Sequence, residues 1–427
     1  MVKDLRNKAA SLFESMWDDA IPGDQGDPSL HYTGWLDYPV RIEEEEIRKI
    51  EDMAKEIKSR SSYLLVIGTG GSYMGARAVT DLIAGEDQTK LRFLGYDINE
   101  RHILEVLKTL EGKDYSLCVV SKSGGTMEPM VSFSIMMEDL KARYGEEEAF
   151  ERTYVITENK DSLLHDYARE TNCHILYVPE NIGGRYSVFT AVGLLPMAVH
   201  GADIREFVNG AKALASRDAF DGEGLDYAIT RVLLGGYGHG TMEDAADAFD
   251  DAWNSRCGKS MEVFEVYDTY AEYFGNWLLQ LFGESEGKEG KGIFPTLLLF
   301  NRDLHSIGQF LQEGRRDFFE TMILFGDRPN ACSMAVPDTP LASDLAGLTL
   351  GRINRSVEEG VIAAHSKAGV PLITIGIEEI SPRSIGGLMY YFMVQSAVSA
   401  LLMRLNPFNQ PGVEKYKREI RNLILSE

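Results

Sequence analysis

The chain of 427 residues carries 66 Asp and Glu against 43 Lys and Arg, a formal net charge of −23. That length accommodates two or three domains with substantial cores, and the long-range negative field excludes nucleic acid and anionic membrane as main partners. An anionic small molecule must then be captured by a local positive pocket against the global charge.

The four cysteines, Cys118, Cys173, Cys257 and Cys332, lie far apart and form no C-x-x-C pair, so neither a zinc site nor a disulfide framework is suggested. Cys118 and Cys173 fall in apolar, strand-like runs and read as small buried hydrophobes. The N-terminus leads into charged helical sequence without the apolar core of a signal peptide, and no stretch approaches about 18 consecutive apolar residues. A cytoplasmic chain without a membrane span is the expectation.

Residues 1 to 60 mix helical sequence with an irregular piece, Ile21 to Asp37, rich in Gly, Pro and Asp. A charged helix, Ile42 to Lys58, follows, with its Glu43 to Glu46 run turned to solvent. Tyr63 to Ile67 is a buried strand, Gly68-Thr-Gly-Gly-Ser72 a glycine-rich turn, and Gly75 to Ile83 a helix. Gly68 and Gly70 match the first two glycines of a dinucleotide fingerprint, but Tyr73 stands at the third. Under that reading Asp97, after the strand Leu91 to Tyr96, holds a ribose. Under the other, Gly71 and Ser72 form an anion or hydroxyl site at a helix N-terminus.

The next strand, Tyr115 to Val120, is an apolar run rich in β-branched side chains and ends in Ser121-Lys-Ser-Gly-Gly-Thr126. From about Glu128 a helix takes over, with Met130, Phe133, Met136, Met137 and Leu140 on one face. The turn therefore sits at a helix N-terminus, where unpaired N–H groups and the positive dipole end attract an anion. Gly124 and Gly125 let the backbone approach it, Ser121, Ser123 and Thr126 add hydroxyl donors, and Lys122 adds a positive charge. An ordinary capped turn uses the same residue types, but three hydroxyls and two glycines exceed what one cap needs.

Tyr154 to Thr157 and His174 to Val178 complete five strands separated by helices, which predicts a doubly wound parallel α/β sheet with ligands at the carboxyl ends of its strands. Asn181 to Ser187 is a polar turn containing Arg185, followed by an apolar helix, Val188 to Val199. Residues 201 to 225 read as a helical connector. A helix from Met242 to Ala252, another through Val266 to Leu281 and a strand from Thr296 to Phe300 begin a second α/β segment. Its helix carrying Trp277, Leu278 and Leu281 closes at Gln280-Leu-Phe-Gly-Glu-Ser-Glu-Gly-Lys288, where Glu284 alone reads as a solvated charge. Asp303 is a plausible cap for a helix with His305 in its first turn. Met322 to Phe325 and Leu372 to Ile377 are strands, Ile385 to Leu402 an apolar helix, Asn406 to Gly412 a turn, and Val413 to Leu425 a terminal helix with Lys417 exposed.

Taken together, Val66 to Ser72, Ser121 to Thr126, Gly183 to Ser187, Gly283 to Lys288, Asp303 to Ser306 and Asn406 to Val413 resemble, in order and over nearly the whole chain, the glucose-6-phosphate isomerase family in its shorter bacterial form. The resemblance implies two doubly wound parallel-sheet sugar-isomerase (SIS) domains with flanking helices, here 1–205 and 206–427. It also implies a homodimer, no metal or organic cofactor, and interconversion of glucose 6-phosphate and fructose 6-phosphate in glycolysis and gluconeogenesis. Carried over by position, Ser121, Ser123 and Thr126 hold the phosphate, and Gly71 and Ser72 lie against the sugar. Glu284 is the base, His305 opens the ring, Arg185 and Gln280 contact substrate, and Lys417 helps at the ring oxygen. His305 then stands near the dimer interface. The family commonly has Thr where this chain has Gly125, and a Ser-Thr pair where it has Asn301 and Arg302.

A carboxylate suits aldose–ketose isomerisation, because from one position it can take a proton from C2 and return it to C1. A fixed cation offsets the negative charge that builds on oxygen, and the remote phosphate supplies orientation. A sugar-phosphate sensor needs only the phosphate cradle. The joint presence of Glu284, His305, Arg185 and Lys417 favours the enzyme, and the dehydrogenase reading requires NAD binding.

Overall fold

The structure, a computed structural model, describes residues 2–22, 27–83, 90–160, 162–220, 222–237, 258–327 and 333–426. Five strands form the first sheet: β1 (Tyr63–Ile67), β2 (Lys90–Leu94), β3 (Tyr115–Val120), β4 (Thr153–Thr157) and β5 (His174–Tyr177). They are parallel throughout, in the order β2-β1-β3-β4-β5. Coverage of both faces explains why β1 and β3 read as near-continuous apolar runs. Leu64, Val66, Cys118 and Val120 face one core, while Leu65, Ile67, Leu117 and Val119 face another, so both faces are covered. Burial pushes the Cys118 thiol up to about 12, in keeping with an inert core residue.

The strand order reverses between β1 and β3, which are direct neighbours with Ile67 opposite Val119. A crevice opens there at the carboxyl ends, because the chain leaves these two strands in opposite directions. Both glycine turns of the sequence lie at this switch point.

The second sheet contains β6 (Met261–Val266), β7 (Phe294–Leu299), β8 (Phe318–Asp327) and β9 (Leu372–Glu379), parallel, in the order β7-β6-β8-β9. Here the sequence reading needs correction. The helix expected through Val266 begins only at Glu272, and Met261–Val266 is a central strand. Glu262 and Glu265, three apart, mimic a helical polar face. In the fold Glu262 is fully buried and accepts from Arg231 Nε, Tyr227 OH and Thr321 Oγ1, each at 2.6 Å. Asp303 does not cap a helix. It lies inside the 3-10 turn Arg302–His305, and its carboxylate accepts from Leu299 N at 2.8 Å. The helix Leu350–Lys367 was not anticipated, and the one expected from Met242 to Ala252 lies outside the described residues.

Helix Pro382–Leu402 is long and apolar enough to span a membrane, yet 89% of its apolar window is buried inside the protein. Its packing against helix Ile204–Lys212 depends on two glycines. A Cβ at Gly210 would lie 1.8 Å from Arg383 O, and one at Gly386 2.0 Å from Phe207 O. The Tyr390 hydroxyl donates to Leu36 O at 2.7 Å, tying this helix to the N-terminal segment.

Candidate active site

The switch point is built from the turn after β1 outward. Gly70 adopts φ +54°, and a Cβ there would lie 2.8 Å from Gln280 Nε2. At Gly71 a Cβ would lie 2.2 Å from Gly184 O and 2.7 Å from Arg185 N. Side chains at these positions would therefore push apart the three segments that converge here. Ser72 ends the same short 3-10 turn, Gly70–Ser72. Tyr73 is buried and stacks on Tyr96 at 4.9 Å, where a dinucleotide motif needs its third glycine. Asp97, the ribose candidate of that reading, is engaged by the His102 ring at 3.0 Å and by Asn99 N at 3.2 Å.

Arg185 is the centre of the cluster and is 2% exposed. Its Nε donates to Ser285 Oγ at 3.0 Å and one terminal nitrogen to Glu284 Oε2 at 3.2 Å; the other donates to the Pro407 and Asn409 carbonyls. Glu284 sits in the last turns of helix Glu272–Glu286, half-buried. Gln280, one helical turn earlier, donates to its Oε1 at 3.1 Å, and Gln410 donates to its Oε2 at 2.9 Å. The carboxylate is thus aimed by three donors while part of it remains open to a ligand. The bare-sequence expectation of a solvated glutamate is corrected by this convergence.

Lys288, Ser285, Asn409 and Gln410 were not singled out as site residues. Lys288 and Ser285 belong to the Gly283–Lys288 motif, and the two amides to the Asn406–Val413 motif, so the signal was present in segments already tied to the family resemblance. The Lys288 ammonium donates to Asn406 O, and burial, with Arg185 beside it, lowers its pKa to about 7. Asp27 accepts from Asn406 and Asn409, each at 2.9 Å, and the Ser29 hydroxyl holds its carboxyl below the ordinary value. This ties the loop that holds Arg185 to the N-terminal segment.

At the neighbouring strand end, Ser121, Ser123 and Thr126 line the turn into helix Met127–Tyr144. The Ser121 hydroxyl is buried without a protein partner, and Thr126 occupies the cap position without making a side-chain cap bond. These hydroxyls are not spent on capping the helix. Gly124 adopts φ +66°, with a Cβ position only 2.6 Å from Ser162 Oγ, so the tight turn requires glycine there. Lys122 points elsewhere than the cradle: its ammonium meets Glu158 at 2.9 Å and the Glu180 and Ile182 carbonyls at 2.8 and 2.9 Å. It links this turn to the segment that leads into Arg185.

Position 125 differs: a Cβ there meets nothing within 4 Å. A threonine fits, and its hydroxyl adds a donor to the turn. With the phosphate held in this turn, Gly125→Thr is expected to lower KM for the sugar phosphate about threefold to tenfold at unchanged kcat, the net worth of one hydrogen bond. A steady-state KM equal to or above wild type would show that the hydroxyl cannot reach the ligand.

The remaining candidates stand outside the cluster. His305 is exposed on the turn after β7, next to exposed Ile307 and Phe310. Lys417 is exposed on helix Pro411–Leu425 and pairs with Glu414 at 3.2 Å. That helix starts beside Gln410, so Lys417 lies about 10 Å along its axis from the residue that touches Glu284.

The family pattern described as Phosphoglucose isomerase matches residues 45–292. The glucose-6-phosphate isomerase of Bacillus cytotoxicus is 38% identical over 409 residues, 92% of this chain and 86% of that protein. The glucose-6-phosphate isomerase of Bacillus anthracis is also 38% identical, over 411 residues and the same shares. Among solved structures, a hypothetical protein of Thermus thermophilus superposes with a TM-score of 0.80 at 25% identity, covering 98% of this chain and 95% of that one. A glucose-6-phosphate isomerase from Chlamydia trachomatis shares the fold with a TM-score of 0.77 at 19% identity, covering 100% of this chain and 86% of that one.

Proposed function

The chain belongs to the phosphoglucose isomerase family and interconverts glucose 6-phosphate and fructose 6-phosphate, and from that premise we propose how its residues divide the work. Glu284 moves the proton between C2 and C1. The observation that carries this assignment is its convergent aiming by Arg185, Gln280 and Gln410 at the open end of the crevice. Arg185, a buried cation, faces the oxygen that becomes negative in the enediol. Ser121, Ser123, Thr126 and the first N–H groups of helix Met127–Tyr144 hold the phosphate, with Gly71 and Ser72 against the sugar. Lys122 contributes through its field and by bracing the turn.

Ring opening falls to His305 and Lys417, and the assignment of His305 requires a second chain. Helix Pro411–Leu425 exposes Tyr416, Ile420, Leu423 and Ile424 as one apolar stripe, and Ile307 and Phe310 lie exposed beside His305. A homodimer that covers these surfaces carries His305 of each chain into its partner's crevice. We divide the chain into domains at 205/206, although helix Ile204–Lys212 packs closely on Pro382–Leu402.

The test is complementation between inactive chains. Co-refolding equal amounts of Glu284→Gln and His305→Gln chains should restore about a quarter of wild-type activity, because half of the dimers are mixed and each mixed dimer holds one intact site. No recovery would place His305 in the same chain's site.

Lys288 supplies a pH dependence. Protonated, it adds positive charge beside Arg185 for an anionic substrate; as pH rises through about 7 that charge is lost. KM should therefore rise several-fold between about pH 7 and pH 9, and Lys288→Gln should flatten the rise while raising KM at neutral pH. A wild-type KM profile that is level across this range would remove Lys288 from substrate binding.

A further inference from the structure

The second sheet buries a polar cluster that the isomerase chemistry does not use. On β6, Val263 and Glu265 point to one face by strand alternation, with Tyr267 just past the strand's end in the same core cluster, and on β8 Phe318, Glu320 and Met322 do the same. β6 and β8 are paired, with Val263 opposite Glu320 and Glu265 opposite Met322, so the two glutamates are diagonal neighbours. Helix Leu350–Lys367 brings His365 onto them. Glu265 and Glu320 are 0% exposed and His365 3%.

Their hydrogen bonding does not close. Glu320 Oε2 meets His365 Nδ1 at 2.9 Å, but both oxygens of Glu265 and the other oxygen of Glu320 are buried without a protein partner. The Tyr267 hydroxyl, also buried, has none either. The core cluster on this face also includes Val263, Phe318 and Met322, with Val357 and Val361 packed against it, and these five offer no donor. Two ionised carboxylates in such a place cost several kcal/mol each unless a proton or a cation lies between them.

We propose that Glu265, Glu320 and His365 bind a divalent transition-metal cation that staples the central strands of the second sheet to helix Leu350–Lys367. The donor atoms of the three lie within 4.8 Å of one another. A metal with ligand distances of about 2.1 Å places adjacent donors about 3.0 Å apart and opposite donors about 4.2 Å apart, so small side-chain rotations seat the ion. Two carboxylates neutralise the double charge, and one imidazole with two carboxylates suits Zn²⁺ or Mn²⁺ better than Ca²⁺. Held by both oxygens of Glu265 and by Glu320 Oε1, the cation gives all three orphaned oxygens a partner. A proton shared between the glutamates leaves one carboxyl oxygen still without a donor.

The experiment uses the full chain, produced without a metal-affinity tag in medium supplied with Zn²⁺ and Mn²⁺. After gel filtration, elemental analysis should find close to stoichiometric Zn²⁺ or Mn²⁺. Protein refolded in chelator should show a clearly lower Tm, restored by adding Zn²⁺ or Mn²⁺ alone. Glu265→Gln keeps the side chain's shape but removes its charge, and should reduce bound metal at least tenfold. Metal-free wild-type protein whose Tm ignores both chelator and added cation would overturn the proposal in favour of a shared proton. A Glu265→Gln variant as stable as wild type would have the same meaning. Should that variant fail to fold, the wild-type metal content and Tm response decide alone.

Discussion

Glu284→Gln lowers kcat about 10³- to 10⁴-fold and leaves KM for the sugar phosphate within a factor of about three. The split follows from geometry. Gln280 Nε2, Gln410 Nε2 and Arg185 all donate to the Glu284 carboxylate, so this group is oriented before substrate arrives. An amide in its place has the same shape but cannot accept a carbon-bound proton. The replacement is also tolerated by the fold. Gln280 Oε1 is buried without a partner, so a flip of the Gln280 amide offers an acceptor to the introduced NH2 group. Incubation of glucose 6-phosphate in heavy water separates this role from a binding role, because deuterium incorporation at C2 should disappear with turnover. Wild-type exchange in the variant would assign the base to another residue.

The contrast between what was legible and what was not has a physical origin. β1, β3 and β4 are covered on both faces, so each is a continuous apolar run, and the polar turns that follow β1 and β3 stand out against them. β6 is equally buried but carries Glu262 and Glu265 at helical spacing. Nothing within the segment shows that Arg231 lies against Glu262, or that Glu265 faces a second carboxylate. The same holds at the site. Arg185, Gln280 and Glu284 carry a local motif, whereas Gln410 approaches Glu284 across 126 residues of sequence, and Asp27 meets Asn406 and Asn409 from the opposite end of the chain. Short-range patterns mark strands and turns; contacts between distant segments exist only once the sheets are stacked.

Arg185→Lys keeps a positive charge, yet it should cost about 10²- to 10³-fold in kcat/KM and several degrees in Tm. The guanidinium meets four acceptors from two distant segments: Ser285 Oγ, Glu284 Oε2 and the carbonyls of Pro407 and Asn409. An ammonium on a shorter stem concentrates its three donors at a point and cannot span that set. Each buried acceptor left unpaired costs about 1–3 kcal/mol, and the loop that carries Gln410 toward Glu284 loses its anchor. Two consequences should therefore appear together: a destabilised fold, and a kcat loss larger than any rise in KM, because the lost donor acts on charge that develops only as the enediol forms. Arg185→Met removes the charge as well and should lower kcat further, while its Tm stays close to that of the lysine variant. If both variants denature earlier but turn over at the wild-type rate below their Tm, Arg185 is a structural tie and the stabilising charge must come from Lys288, the other cation beside Glu284.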